Sequence, residues 1–292
     1  MLKSIILLIV LFCSLTGVTA TTDNSFYVDR YSQSVHGGIG LIQTPSARFS
    51  NDGEFGFGIS SEEPFNRLYA KAQFFPWMEA VLKYTEGTHR PYHKGSSQTW
   101  KDKGIDLKFK LFEEGNNFPA IAIGFIDVGG TGAYASEYIV ASKAYKDFDL
   151  SLGLGWGKLN GKEHLGNIFW WRDTTDVSTG LGGLIQLERF FSGSSMSLFG
   201  GVEYFTSIPN LSAKIEYDTT DYDEFIGRPI EFNKPFDDIF QVDSNFNYAI
   251  NYRVNIGARD KLYLSLGFVR GNTVYLNIAT HSNLNFSGPK KV

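Results

Sequence analysis

Apolar and polar residues alternate with a period of two through most of the chain. In residues 245–256, NFNYAINYRVNI, six apolar side chains fall on one face of an extended chain and polar side chains, chiefly asparagine, fall on the other. Such alternation predicts β-strands that each turn one face toward an apolar environment. The predicted strands are 54–60, 67–74, 78–84, 105–111, 119–126, 134–144, 148–156, 181–190, 195–206, 211–218, 245–257, 261–270 and 273–286.

The connections between these strands are of two kinds. Short connections are predicted at 129–132, 259–260 and 271–272, and long loops at 85–103, 158–180 and 219–244. Tight turns at one end and long loops at the other are typical of an outer-membrane barrel. The strands of a soluble β-sandwich are usually shorter, at about five or six residues.

Charged residues are excluded from the apolar faces of these strands and occur on the opposite faces, as at Lys71 and Glu79. Lipid does not solvate a charge, whereas a water-filled lumen tolerates either sign. Because a sandwich core excludes charge as well, strand length and the aromatic residues at strand ends decide the interpretation. The pattern predicts an all-β fold, a transmembrane antiparallel up-and-down β-barrel of about 12–14 strands. A soluble periplasmic β-sandwich is the alternative.

The first twenty residues have the pattern of a secretory signal peptide. A single lysine, an apolar run over 5–12 and small residues at Val18 and Ala20 predict cleavage after Ala20. Cys13, the one cysteine of the chain, lies inside the apolar run, so the mature chain is expected to have no disulfide and no thiolate. The predicted organisation is signal peptide 1–20, N-terminal segment 21–50, barrel 51–286 and C-terminal tail 287–292.

Composition and motifs point away from catalysis and nucleic acid. The net charge is −4 and no Lys/Arg run suggests nucleic-acid binding. A metal pair at His89 and His93, a calcium site in residues 218–224 and sugar stacking by residues 168–173 are each weaker interpretations than a polar loop or an aromatic girdle. We therefore predict no enzymatic activity, no cofactor and no metal site.

Several long stretches resemble the YjbH family of outer-membrane proteins, which are linked to exopolysaccharide and capsule production. They are GGIGLIQTPSARF (37–49), GGTGAYASEYIVASKAYKDFDLSLGLGWGKL (129–159), the block FFSGSSMSLFGGVEYFTSIPNLSAKIEYDTTDYDE (190–224) and RGNT (270–273). The resemblance implies an outer-membrane barrel without known catalysis, here in a short, single-barrel form. Residues 37–48 precede the first clear strand, and we expect them to fold inside the barrel as a plug.

The function expected from the pattern and the resemblance is to assist secretion or assembly of an exopolysaccharide or capsule at the outer membrane of a Gram-negative bacterium. Outer-membrane lipid, the polysaccharide and periplasmic export proteins are the expected partners. The alternatives are a structural barrel, or a soluble periplasmic β-sandwich, that binds glycan or export proteins. The candidate lumen residues for a polysaccharide path are Lys108, Lys110, Glu203, Lys214, Glu216, Asn251, Arg253 and Asn255.

Overall fold

The computed structural model describes residues 30–92, 96–130, 132–171, 190–222, 241–256 and 259–284, without the side chains of residues 89 and 90. The predicted signal peptide, the predicted tail and the predicted strand at 181–190, apart from its last residue, lie outside these ranges. The domain boundaries stay predictions.

The described chain forms β-strands joined by turns, with one short 3-10 helix at Gly157–Asn160. None of its helices is long and apolar enough to cross a membrane. The strands are β1 (Glu54–Glu62), β2 (Phe65–Phe75), β3 (Met78–Pro91), β4 (Thr99–Phe112), β5 (Ala120–Ile126), β6 (Ser136–Tyr145), β7 (Phe148–Gly155), β8 (Leu165–Gly166), β9 (Ser195–Phe205), β10 (Leu211–Tyr217), β11 (Phe246–Asn255), β12 (Asp260–Val269) and β13 (Thr273–Asn283).

Twelve of these strands close into an antiparallel barrel. Neighbours along the chain pair from β1 to β7 and from β9 to β13, β7 pairs with β9, and β13 pairs with β1. The two-residue β8 adds only to the end of β9. The predicted all-β, transmembrane-type up-and-down barrel is therefore confirmed, with a strand number at the lower end of the predicted range.

The two faces of the wall differ as the alternation predicts. On β11, Tyr248 and Ile250 are 50% and 56% exposed on the outer face, whereas Asn247 and Asn251 on the inner face are 1% and 5% exposed. Large exposed apolar side chains recur on the outer faces of other strands, including Phe57. A continuous apolar surface of this kind is stable against another apolar phase rather than water. The wall thus has the exterior of a barrel that spans a bilayer.

The two ends of the barrel carry different connections. We call the end with the connections 76–77, 113–119, 146–147, 206–210 and 256–259 the short-turn end. The opposite, long-loop end carries the connections between β7 and β9 and between β10 and β11. The long loop predicted over 85–103 is wrong, since β3 continues to Pro91 and β4 begins at Thr99. Polar residues occupy both faces there, so hydropathy no longer alternates although the strands still pair.

Residues 30–50, which we call the luminal segment, are almost entirely buried. They enter at the short-turn end, where Arg30 donates to the backbone carbonyl of Lys146, and return there to β1. Between these points the segment folds on itself through bridges that join Gln33 to Ile39 and Gly40 to Pro45. Its hydrogen-bond partners lie on β1, β3, β4, β6, β7, β9 and β10, which surround it. The luminal segment therefore fills the lumen along this path.

Candidate functional site

The candidate site is the inner wall of the barrel, where two predicted lysines bind the luminal segment. The Nζ atom of Lys108, on β4, donates to the carbonyl oxygens of Ile39 at 2.8 Å and Arg48 at 2.7 Å. The Nζ atom of Lys214, on β10, donates to the carbonyl oxygens of Gly40 at 2.8 Å and Leu41 at 2.6 Å. Buried carbonyl groups need partners, and these ammonium groups supply them from opposite sides of the barrel.

A third predicted residue, Glu216, binds the backbone amides of the same segment. Its carboxylate oxygens accept hydrogen bonds from the N–H groups of Ile42 at 2.8 Å, Gln43 at 2.7 Å and Thr44 at 3.2 Å. The Thr44 hydroxyl and the amide group of Asn247 donate to the same carboxylate, at 2.9 Å and 2.8 Å. Five donors around one buried carboxylate fix the position of the segment relative to β10.

The returning end of the segment is held by Arg48, which forms a fork with two acidic residues. Its Nε and Nη2 atoms lie 2.8 Å and 2.6 Å from the two carboxylate oxygens of Asp149, and its Nη1 atom lies 2.6 Å from Glu114. Burial alone lowers the pKa of Arg48, but the Asp149 and Glu114 carboxylates outweigh it, and the pKa is raised overall. Bidentate geometry of this kind gives strong, oriented binding.

Three other predicted residues, Glu203, Asn251 and Arg253, line a cavity of 230 Å³ at the short-turn end. The cavity lies between the start of the luminal segment and strands β9 to β12. Both oxygens of Glu203 accept from the Ser32 hydroxyl at 2.8 Å, and one accepts from Ser212 at 2.5 Å. The structure thus brings these three candidates together.

The remaining two candidates lie near the short-turn end and take part in neither group. Lys110 pairs with Glu113 at 3.1 Å, and its ammonium group lies 5.4 Å from the centre of the Phe49 ring. Asn255 is the last residue of β11 and is exposed. Of the eight candidates, three therefore bind the backbone of the segment, three line a cavity, where Glu203 also binds Ser32 of the segment, and two lie near the end of the barrel.

Two titratable groups toward the long-loop end, His36 and Asp127, have shifted pKa values. Burial, with the nearby Arg67 and Lys83, holds the pKa of His36 well below its usual value, so that the ring is neutral at pH 7. Burial and the Asp102 carboxylate raise the pKa of Asp127 to about 7. The connection after β5 therefore carries a carboxyl group that titrates near neutral pH.

Sequence reasoning missed the partners that the luminal segment contributes. Ser32 binds Glu203, and the hydroxyl of Tyr31 donates to Glu54 at 2.6 Å. Glu54 also lies 2.6 Å from the Nδ1 atom of His281. These pairs join residues far apart in the chain, so no local period marks them, although the inward phase of β1 and β13 does contain Glu54 and His281.

The weaker chemical candidates gain no support within the described residues. These hold no group of three or more His, Cys, Asp or Glu side chains placed to bind a metal ion. His93 and the side chain of His89 lie outside the described part, as do the last two residues of the predicted calcium site. Trp170 and Trp171 are exposed in the connection between β7 and β9.

Porins are among the solved structures that match the chain, at low overall similarity. The similarity to the KdgM porin has a TM-score of 0.42 at 9% identity and covers 80% of this chain and 99% of that one. The NanC porin gives a TM-score of 0.39 at 10% identity, covering 79% of this chain and 100% of that one. Similarity at this level carries no functional inference.

Sequence comparison is more specific. The chain is 37% identical over 266 residues to the "Uncharacterized lipoprotein YjbH" of Escherichia coli (strain K12), covering 87% of this chain but 35% of that protein. The chain thus spans about a third of the length of this relative. The family model described as "Exopolysaccharide biosynthesis protein YbjH" matches residues 32–292, which include the luminal segment from Ser32 onward and every barrel strand. The chain belongs to the YjbH family.

Proposed function

We propose that this protein is a non-catalytic barrel of the outer membrane that assists secretion or assembly of an exopolysaccharide. The observation that carries the proposal is the contrast between an apolar outer face and an inner face rich in buried Lys, Glu, Asn and Ser side chains. Such an inner face offers hydrogen bonds to a hydroxylated polymer, while the outer face suits lipid. The family description supplies the class of polymer.

The lengths of the connections indicate which end of the barrel would face the periplasm. Outer-membrane barrels have short turns on the periplasmic side and longer loops outside. The short-turn end, with the 230 Å³ cavity and the entry of the luminal segment, would face the periplasm. A polymer arriving from the periplasm would meet Glu203, Asn251 and Arg253 first.

The luminal segment acts in this proposal as a plug that must move before a polymer can pass. Lys108, Lys214 and Glu216 hold it in place, and the same side chains would face the polymer once it has moved. Lys110 and Asn255 would lie beside the path at the short-turn end. Periplasmic export proteins are the partners that would displace the segment.

The test of the secretion role uses a strain of the native host that lacks the protein. We expect polysaccharide in the culture medium to fall and to return when the full chain is supplied. The same complemented strain should contain the protein in its outer-membrane fraction, with a gel mobility that changes on boiling, as a closed barrel requires. Unchanged secretion without the protein would contradict the role.

A structural barrel that recruits export proteins without conducting polymer is the second candidate, and the filled lumen favours it. A disulfide between positions 47 and 142 separates the two, because it would fix the segment to β6 at a place where the Ala47 N–H already donates to the Ser142 hydroxyl at 2.8 Å. The Ala47→Cys/Ser142→Cys variant should lose secretion when oxidised if the segment must move, and regain it when reduced. Equal secretion in both forms, with the disulfide formed, would favour the structural barrel.

A further inference from the structure

The cavity at the short-turn end has the lining of a ligand site. Its apolar lining residues come from the end of β9, the connection that follows and the start of β10, and include Phe205, Pro209 and Leu211. The other side is polar and comes from the luminal segment and the strand interiors, with Ser32, Glu203, Ser212 and Asn251. Small-molecule sites combine an apolar wall with a few convergent polar groups in this way.

Asn251 gives the clearest sign of a missing partner. Its side chain is 5% exposed, and its Nδ2 atom donates to the Ser212 hydroxyl at 3.4 Å. Its Oδ1 atom is buried and accepts no hydrogen bond from any described residue. A buried acceptor without a donor costs about 1–3 kcal/mol, so a ligand that donates a hydrogen bond there is favoured.

Glu203 shows which donors the polar side accepts. Its carboxylate is already surrounded by hydroxyl groups, those of Ser32 and Ser212, at 2.5–2.8 Å. A carboxylate in this position accepts hydrogen bonds from hydroxyl groups, the kind of donor that a sugar carries. A negatively charged unit would instead be repelled by this carboxylate at close range.

Two arginines, Arg253 and Arg30, also line the cavity and already have partners. Arg253 donates to the Oδ1 atom of Asn210 at 3.0 Å. Arg30 lies 3.5 Å from Asp147 and over the Phe205 ring at 5.2 Å. Both arginines are partly exposed, whereas Ser32, Glu203, Ser212 and Asn251 are buried, so the hydroxyl-binding groups lie deeper than the cations.

We propose that this cavity binds one uncharged, hydroxylated sugar ring of the polymer as it enters the barrel. The assignment rests on the proposed function for the source of the sugar. A volume of 230 Å³ lies below the range of about 300–1,000 Å³ for sites that enclose drug-sized ligands, which fits a single ring rather than an oligosaccharide. The C–H face of the ring packs on Phe205, and its hydroxyls reach Asn251 and Glu203.

The test measures binding of oligosaccharides, prepared by partial acid hydrolysis of the polysaccharide that the native host secretes, to the purified full chain in detergent. Titration calorimetry should detect binding to the wild-type protein and about tenfold weaker binding to Asn251→Leu, as for loss of a buried hydrogen bond. Ser212→Ala, a smaller change, should weaken binding in the same direction. Ser265→Ala is the matched control, because Ser265 also faces inward, opposite Asn251 on β12, but lies outside the cavity lining.

Two results would overturn the assignment. One is no binding to a wild-type protein that migrates as a folded barrel, and the other is equal affinity in the Ser212→Ala, Asn251→Leu and Ser265→Ala variants. If secretion is lost in the strain without the protein but the purified chain binds no oligosaccharide, the cavity assignment alone fails. If the deletion strain secretes normally, the secretion role fails.

Discussion

The contact between Glu216 and the luminal segment offers the sharpest prediction. Glu216→Gln keeps one acceptor oxygen but places an NH₂ group where the other carboxylate oxygen was. If the remaining oxygen serves Ile42 and Thr44, the N–H of Gln43 and the amide group of Asn247 lose their acceptor. Two buried donors without partners cost about 1–3 kcal/mol each, or about 2–6 kcal/mol together. About 1.4 kcal/mol corresponds to a tenfold change in an equilibrium constant. The form in which the segment is released from β10 should therefore become at least tenfold more populated.

Hydrogen exchange of the backbone amides at residues 42–44 measures this release directly. In the folded barrel these amides should exchange at least tenfold faster in Glu216→Gln than in the wild type, while strand amides keep their protection. Glu86→Gln is the control, since Glu86 lies on β3 with a partly exposed side chain that binds Thr99 and Lys101. Equal exchange at residues 42–44 in the wild type and Glu216→Gln would refute the reasoning.

Three further predictions concern the segment, the long-loop end and the outer face. Gly37→Ala should destabilise the protein by about 2 kcal/mol or more in urea unfolding, because the backbone has a φ of +93° and a Cβ atom would overlap the Tyr69 ring. The raised pKa of Asp127, about 7, means that the folded state holds this proton more tightly than the unfolded state, so stability falls as the pH rises from about 4 through 7. Asp127→Asn should therefore raise the melting temperature at pH 8 and leave it nearly unchanged at pH 4; a constant difference would contradict this. Ile250→Arg, on the outer face, should make the barrel less stable in lipid vesicles by about 2–4 kcal/mol, as for an arginine near the bilayer centre. Unchanged stability of the folded barrel would argue against a lipid-facing position.

The strands and the direction of their faces could be predicted because both depend on local alternation. On β11 the period of two alone separates outward Tyr248 and Ile250 from inward Asn247 and Asn251. The same rule fails at the end of β3, where the strand continues past its alternating apolar residues. The last residues of β3 pair with β4 through backbone hydrogen bonds, which hydropathy does not record.

The candidate site was predictable only in part, for a physical reason. Alternation placed Lys214, Glu216 and Asn251 on the inner face, but it contains no information on what they meet there. Glu216 binds residues more than 170 positions earlier in the chain, and Lys214 does the same. Contacts at that separation depend on closure of the whole barrel. The sequence therefore indicated a polar lumen, whereas the division into segment anchors and cavity lining required the structure.

The central claim is that the luminal segment closes a membrane-spanning barrel, and conductance across a planar lipid bilayer tests it most directly. The wild-type protein, inserted as a heat-modifiable barrel, should show no steady ion conductance. The Lys214→Met/Glu216→Gln double variant, which removes the hydrogen bonds from Lys214 and one of the two acceptor oxygens of Glu216, should open channels under the same conditions. A stable open channel in the wild type, with a conductance that the double variant does not change, would contradict the account.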